Sequence, residues 1–145
     1  MELYNMLKNI YGKNNEEELK KTISIVKKEL SNLTEERMCK VYNGYLLKKL
    51  NKNHVPSRLI NTIDLGLNYE HIFVLVPKND SGYFLADLTF SQFNINVKEL
   101  NELLNNGYQE ITDQTLNLYL NIVEKNNKIT LLSTEDIFYR TNKKK

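Results

Sequence analysis

The chain predicts an α+β fold in which helices come first, a small antiparallel sheet follows, and helices close the chain. Three observations carry this. Apolar residues recur at helical spacing up to Leu50. Between residues 55 and 88, β-branched and aromatic runs alternate with turn residues. Helical spacing with capping residues then returns from Asn96. Only two prolines and five glycines punctuate the 145 residues, so the chain reads as one densely structured domain without a linker or internal repeat.

Each element has its own justification. Leu3, Met6, Leu7, Ile10 and Tyr11 make a helical stripe that ends at Gly12. Asn14 or Asn15 is positioned to cap a second helix, with Glu16, Glu17 and Glu18 in the first turn, where the helix dipole favours negative charge. Leu19, Ile23, Val26 and Leu30 form its apolar stripe. Thr34, followed by Glu35 and Glu36, opens a third helix buried through Met38, Val41, Tyr42, Tyr45, Leu46 and Leu50. Residues 1–33 thus form an N-terminal helical part.

Residues 55–63 read as a loop and then a strand. Residues 69–76 form a hydrophobic strand, 77–82 a turn, and 83–88 the returning strand. Asn96 to Glu99 resembles a capping box whose helix stops near Gly107. Residues 108–111 suggest a short strand, Thr112 begins a helix carrying Leu116, Tyr119, Leu120 and Val123, and 129–132 suggest a last strand before a short helix capped at Ser133. Residues 94–145 are therefore a C-terminal, mainly helical segment following a core at 34–93.

Composition narrows the function classes. Twenty basic and 18 acidic residues are interleaved to a net charge of +2, which offers no basic face for nucleic acid. No apolar stretch approaches the length of a membrane span, and the first residues lack the basic and apolar regions of a signal peptide. A cytoplasmic location is the expectation; delivery as an effector or toxin by a specialised secretion system would leave no such mark. One cysteine rules out an intrachain disulfide. Two histidines and one cysteine at these spacings do not make a zinc set, and there is no phosphate-binding or dinucleotide fingerprint, so no metal or cofactor is expected. His54 falls in an Asn/Lys-rich loop, outside any such cluster.

The residues that state a chemistry are Cys39, His71 and Asp87, with His71 32 positions after Cys39 and Asp87 16 after His71. They fall on a helix start, a strand and a second strand. If the two strands pair about Asn79, His71 lies opposite Asp87 on one face, with Cβ atoms about 5 Å apart. A three- or five-residue loop gives that parity; a two- or four-residue loop would send the side chains to opposite faces. A thiol needs a base or a positive field to attack, and an imidazole supplies both. An aspartate orients that imidazole. The early amides of a helix lack intrahelical partners, which makes the Cys39 amide a natural oxyanion donor; Asn32 and Tyr42 are weaker side-chain candidates. Tyr42 and Tyr69 are placed to line a substrate groove.

The run from Cys39 to Phe93 resembles the core of the transglutaminase-like family within the papain-like cysteine hydrolases. The resemblance rests on Cys39, the hydrophobic helix through Tyr45-Leu46-Leu47-Lys48-Lys49-Leu50, the turn Val55-Pro56-Ser57-Arg58, His71, and Asp87-Leu88-Thr89. It spans about 55 of the 145 residues. The chain departs from the family in lacking tryptophan and in having Leu88 where proline is frequent. The resemblance implies a helix-borne nucleophile Cys39, a base His71 and an orienting Asp87. It implies acyl transfer from amide bonds of a peptide or protein substrate, as in peptidases, amidases, glutamine deamidases or transglutaminases. Some members have lost catalysis, so a silent peptide-binding module with the same cleft is the alternative.

Overall fold

The computed structural model describes residues 15–33, 38–68, 70–78, 82–93 and 95–130, with side chains up to residue 125. Helix α1 runs over Asn15–Glu29, with Glu16, Glu17 and Glu18 in its first turn and Lys27 and Lys28 in its last, the charge order its dipole favours. It buries Leu19, Ile23 and Val26. Asn15 is already inside the helix, and its amide donates to the Pro77 carbonyl at 2.9 Å, tying α1 to the sheet. Helix α2 spans Cys39–Lys52 and buries Tyr42, Asn43, Leu46 and Leu50.

Four antiparallel strands follow: β1 (Arg58–Asn61), β2 (Ile72–Pro77), β3 (Tyr83–Ala86) and β4 (Tyr108–Ile111), lying side by side in chain order. A 3-10 turn at Thr62–Leu65 leads out of β1, capped by the Asn61 side chain accepting from the Ile63 amide at 3.0 Å. Helix α3 (Asn101–Asn106) and helix α4 (Asp113–Thr130) complete the described chain. An α+β architecture with an antiparallel sheet is thus what the sequence pattern led one to expect.

The alternation along β2 explains the layering. Val74 and Val76, with Phe84 and Ala86 of β3, face a core built from Leu19, Ile23 and Val26 of α1 and Tyr42, Leu46 and Leu50 of α2. Phe73 and Leu85 face the opposite core, built from Phe90, Phe93, Leu100, Leu103, Tyr119, Ile122 and Val123. One face of the sheet is covered by α1 and α2, the other by α3, α4 and the 3-10 turn at Phe90–Phe93.

Several boundaries differ from the sequence reading. Asn96 does not cap: a 3-10 turn at Lys98–Leu100 precedes α3, and the residue at its N-cap, Val97, makes no side-chain cap bond. The signal at Thr112 is realised as a reciprocal cap, the Thr112 amide donating to Thr115 Oγ1 at 2.8 Å and the Thr115 amide to Thr112 Oγ1 at 3.2 Å. Residues 129 and 130, expected to begin a strand, continue α4 instead; periodicity over four residues does not separate a short strand from a helix end. The expected helix at 3–12, Tyr69, the opening of the third helix at 34–37, and the segment from 131 lie outside the described residues.

Gly107 ends α3 in the left-handed region, with φ of 85°. A Cβ there would sit 2.9 Å from Leu88 Cδ2 and 3.4 Å from Ile23 Cγ2. The Gly107 carbonyl accepts from the Asp87 amide at 2.9 Å, so this turn also sets the loop after β3. Gly107→Ala is expected to lower unfolding free energy by about 1–3 kcal/mol through the unfavourable φ and the clash. An unchanged urea midpoint would contradict that.

Candidate active site

Two strand ends and one helix start build the site. His71 immediately precedes β2, and Asp87 immediately follows β3. The register pairs Val74 with Ala86 and Pro77 with Tyr83. The connecting loop therefore holds five residues, 78–82, one of the two lengths that keep His71 and Asp87 on the same face. The centre of the turn differs from the pairing about Asn79: continued past the ladder, the register sets Phe73 opposite Asp87 and places His71 on the diagonal. A histidine ring spans that diagonal easily. His71 Nε2 donates to Asp87 Oδ2 at 2.8 Å, with both side chains inaccessible to solvent.

His71 is held by backbone and ring contacts. Its amide donates to Thr62 Oγ1 at 2.8 Å, and its carbonyl accepts from the Thr62 amide at 2.9 Å. The Phe93 ring meets the imidazole edge-to-face with centroids 5.0 Å apart. The Phe90–Phe93 turn thus closes one side of the His71 ring.

Asp87 accepts five hydrogen bonds. Oδ2 receives His71 Nε2 and the Tyr119 hydroxyl at 2.7 Å. Oδ1 receives Asn43 Nδ2 at 2.9 Å and both the amide and hydroxyl of Thr89 at 3.0 Å. The Thr89 amide bond, two residues on, is the local turn that aspartate side chains favour. A carboxylate removed from water needs such a set of donors, since each unsatisfied lone pair would cost free energy.

Cys39 is the first residue of α2 and is half-buried. Among the described residues, the first bond into α2 runs from the Tyr42 amide to the Met38 carbonyl, which puts the amides of Cys39, Lys40 and Val41 in the opening turn. As the first residue of α2, Cys39 has its amide in the opening turn of the helix. Cys39 is among the groups that favour the charged form of the His71 ring. Because Nε2 is committed to Asp87, Nδ1 is the nitrogen left for the thiol.

The electrostatics follow from this arrangement. Burial opposes a charge on His71, but the Asp87 carboxylate and then Cys39 outweigh it and push the imidazole pKa up to about 10. Burial would raise the Asp87 pKa, but the His71 charge, followed by the Asn43 and Tyr119 donors, holds it below the ordinary aspartate value. Burial and the Asp87 charge keep the Tyr119 hydroxyl well above its usual pKa, so it stays a neutral donor.

A raised histidine pKa gives stability fully present below the unfolded value of about 6.5 and lost as pH climbs towards about 10. A lowered aspartate pKa gives stability present above about 3.9 and lost in acid. Unfolding free energy should therefore peak near pH 4–6.5 and fall by at least about 1 kcal/mol between pH 6 and 9. Urea midpoints across this range test it; a flat profile from 6 to 9 would mean that the folded ring is neutral.

The remaining candidates separate from the triad. The Tyr42 hydroxyl contacts the carbonyls of Leu30 at 2.9 Å and Leu33 at 2.6 Å, and its ring lies in the core under α1. This corrects its expected place as a groove wall, since the ring is buried and the hydroxyl is engaged by two backbone carbonyls. Asn32 is exposed beyond α1, and His54 is exposed after α2. A hollow of about 100 Å³ lined by Lys27, Asp87, Ser91 and Gly107, among others, lies on the loop side of Asp87 and does not include Cys39 or His71.

Sequence reasoning missed Asn43 and Tyr119 as partners of Asp87. Tyr119 read as one more member of an apolar stripe. Asn43 carried a usable signal, since a polar residue one turn after Cys39 interrupts a buried face.

Among the described residues no group of three or more His, Cys, Asp or Glu side chains is arranged to hold a metal ion, and no helix is long and apolar enough to cross a membrane. No protein-family model, curated protein or solved structure matches the chain.

Proposed function

We propose that the chain is a cysteine-dependent acyl-transfer enzyme that cleaves or modifies amide bonds in peptides or proteins, with a core of the papain-like, transglutaminase-like kind. The observation that carries this reading is the order Cys39, His71, Asp87. A half-buried cysteine at a helix start is joined, in that order along the chain, by an imidazole whose Nε2 is fixed by the Asp87 carboxylate 2.8 Å away, and the cysteine is among the groups that favour the charged ring.

In this reading the Cys39 sulfur attacks a substrate carbonyl carbon while the His71 ring holds the thiol proton. The carbonyl oxygen takes up the negative charge against the helix-start amides. As the tetrahedral species collapses, His71 passes its proton to the departing amine, and a thioester on Cys39 remains. Water then gives a proton to His71 and attacks the thioester carbonyl; collapse releases the acid and returns the proton to the thiol. With an amine as acceptor, the same steps give transfer. Asp87 keeps the imidazole oriented and balances its charge throughout.

The test is to incubate the protein and its Cys39→Ala variant with a mixed pool of peptides and glutamine-containing proteins, and to read mass changes. Cys39-dependent new termini identify a peptidase, a gain of about one dalton on glutamine a deamidase, and Gln–Lys adducts a transglutaminase. No Cys39-dependent change would overturn the catalytic reading in favour of a silent peptide-binding module.

A further inference from the structure

Asn43 stands one helical turn after Cys39 on α2, so the two side chains share a face. It is completely buried, and the hydrogen bonds of its side chain all leave its own helix. Nδ2 donates to the Ile72 carbonyl at 2.8 Å and to Asp87 Oδ1 at 2.9 Å, while Oδ1 accepts from the Leu88 amide at 2.8 Å. Ile72 is the residue after His71, and Leu88 is the residue after Asp87. One amide group therefore clamps the helix that bears the thiol onto the two backbone segments that bear the ring and the carboxylate.

We infer that Asn43 is the positioning residue of the proposed site, setting the Cys39 thiol against the His71 ring and fixing the Asp87 carboxylate. This rests on the reading of Cys39 and His71 as a working pair. Asn43 reaches no reacting atom; it acts through the three residues it ties together. Other links to Asp87 do not substitute for it. Thr89 is local to the Asp87 loop, and Tyr119 comes from α4 on the far side of the sheet. Among these partners of Asp87, Asn43 alone belongs to the cysteine's own helix. The side chain is also well matched to the task. It presents two donors and one acceptor to a carbonyl, a carboxylate and an amide, a set that no apolar residue of equal volume satisfies. An aspartate would fit the space but lose both donors and set a second negative charge against Asp87.

The test measures the rate of Cys39 alkylation by iodoacetamide, read by intact mass at a pH where every protein is folded by circular dichroism. Wild type is compared with Asn43→Ala and with Leu46→Ala, a cavity variant on the same helix. The expected result is fast labelling of wild type and Leu46→Ala, and a loss of about 10–100-fold in Asn43→Ala, the range for removing a group that orients a reactive one. A merely structural role would slow neither folded variant. Labelling of folded Asn43→Ala at the wild-type rate therefore overturns the inference while leaving the Cys39–His71 pair standing. If Asn43→Ala does not fold, Asn43→Ser takes its place, and failure of both to fold makes Asn43 a core residue and overturns the positioning role. If wild type labels no faster than a free thiol, the pair itself fails, and the role of Asn43 falls with it.

Discussion

Cys39→Ser is expected to lower Cys39-dependent amide turnover by at least about a thousandfold. The unfolding free energy should stay within about 0.5 kcal/mol of wild type. The asymmetry comes from where the residue sits. Cys39 is half-buried at the start of α2 and belongs to neither buried core, so exchanging sulfur for oxygen removes little packing. Chemically the exchange is severe under the proposed reading: a hydroxyl is a far weaker nucleophile and leaving group than a thiol. Turnover and urea midpoints measured on the same preparations check both halves. A Ser variant that keeps a tenth or more of the activity would remove Cys39 from the chemistry.

Asp87→Ala should show the opposite profile, losing stability and activity together. Five donors converge on that carboxylate, and the His71 ring beside it is sealed from solvent. Removing the carboxylate leaves the imidazole without its counter-charge and strands the donors of Asn43, Tyr119 and Thr89. Breaking one partner of a buried pair costs about 3–5 kcal/mol, and the unsatisfied donors add to that. Asp87→Asn keeps the shape and part of the bonding, so it should fold better than the alanine variant. Its turnover should still drop by about four orders of magnitude, because the amide no longer fixes the productive tautomer. The raised imidazole pKa should also fall, removing the stability loss between pH 6 and 9 expected of wild type. An Asp87→Ala protein as stable as wild type would contradict the described network.

How much of this was legible in the chain follows from particular residues. Cys39, His71 and Asp87 stood out because their types imply a chemistry and because the strand parity made the His71–Asp87 contact available. The sheet itself was readable from β-branched runs at 72–76 and a turn-rich interval before Tyr83. The centre of that turn was not, because any odd loop length satisfies the same alternation. Asn43 was visible as a polar interruption of a buried face, but its partners and those of Tyr119 were hidden for a different reason. Their roles depend on what the fold brings within 3 Å of them across 44 and 32 residues of chain. Local periodicity marks which face is buried but does not say which polar atoms meet there. Tyr42 illustrates the converse: its type suggested a groove, and its place in the helical stripe decided for the core.

The central claim is that Cys39 is a nucleophile working with His71. The most direct measurement exposes the intact protein briefly to p-nitrophenyl acetate at neutral pH, in wild type and in His71→Ala, and follows the protein's mass and the released phenolate together. The sulfur should displace p-nitrophenolate from the ester carbonyl, giving a single acetyl adduct of about 42 Da on Cys39 that water then removes. His71→Ala should lose that acylation by at least about a hundredfold. Acylation of wild type no faster than that of a simple thiol, or unchanged by loss of His71, would contradict the account.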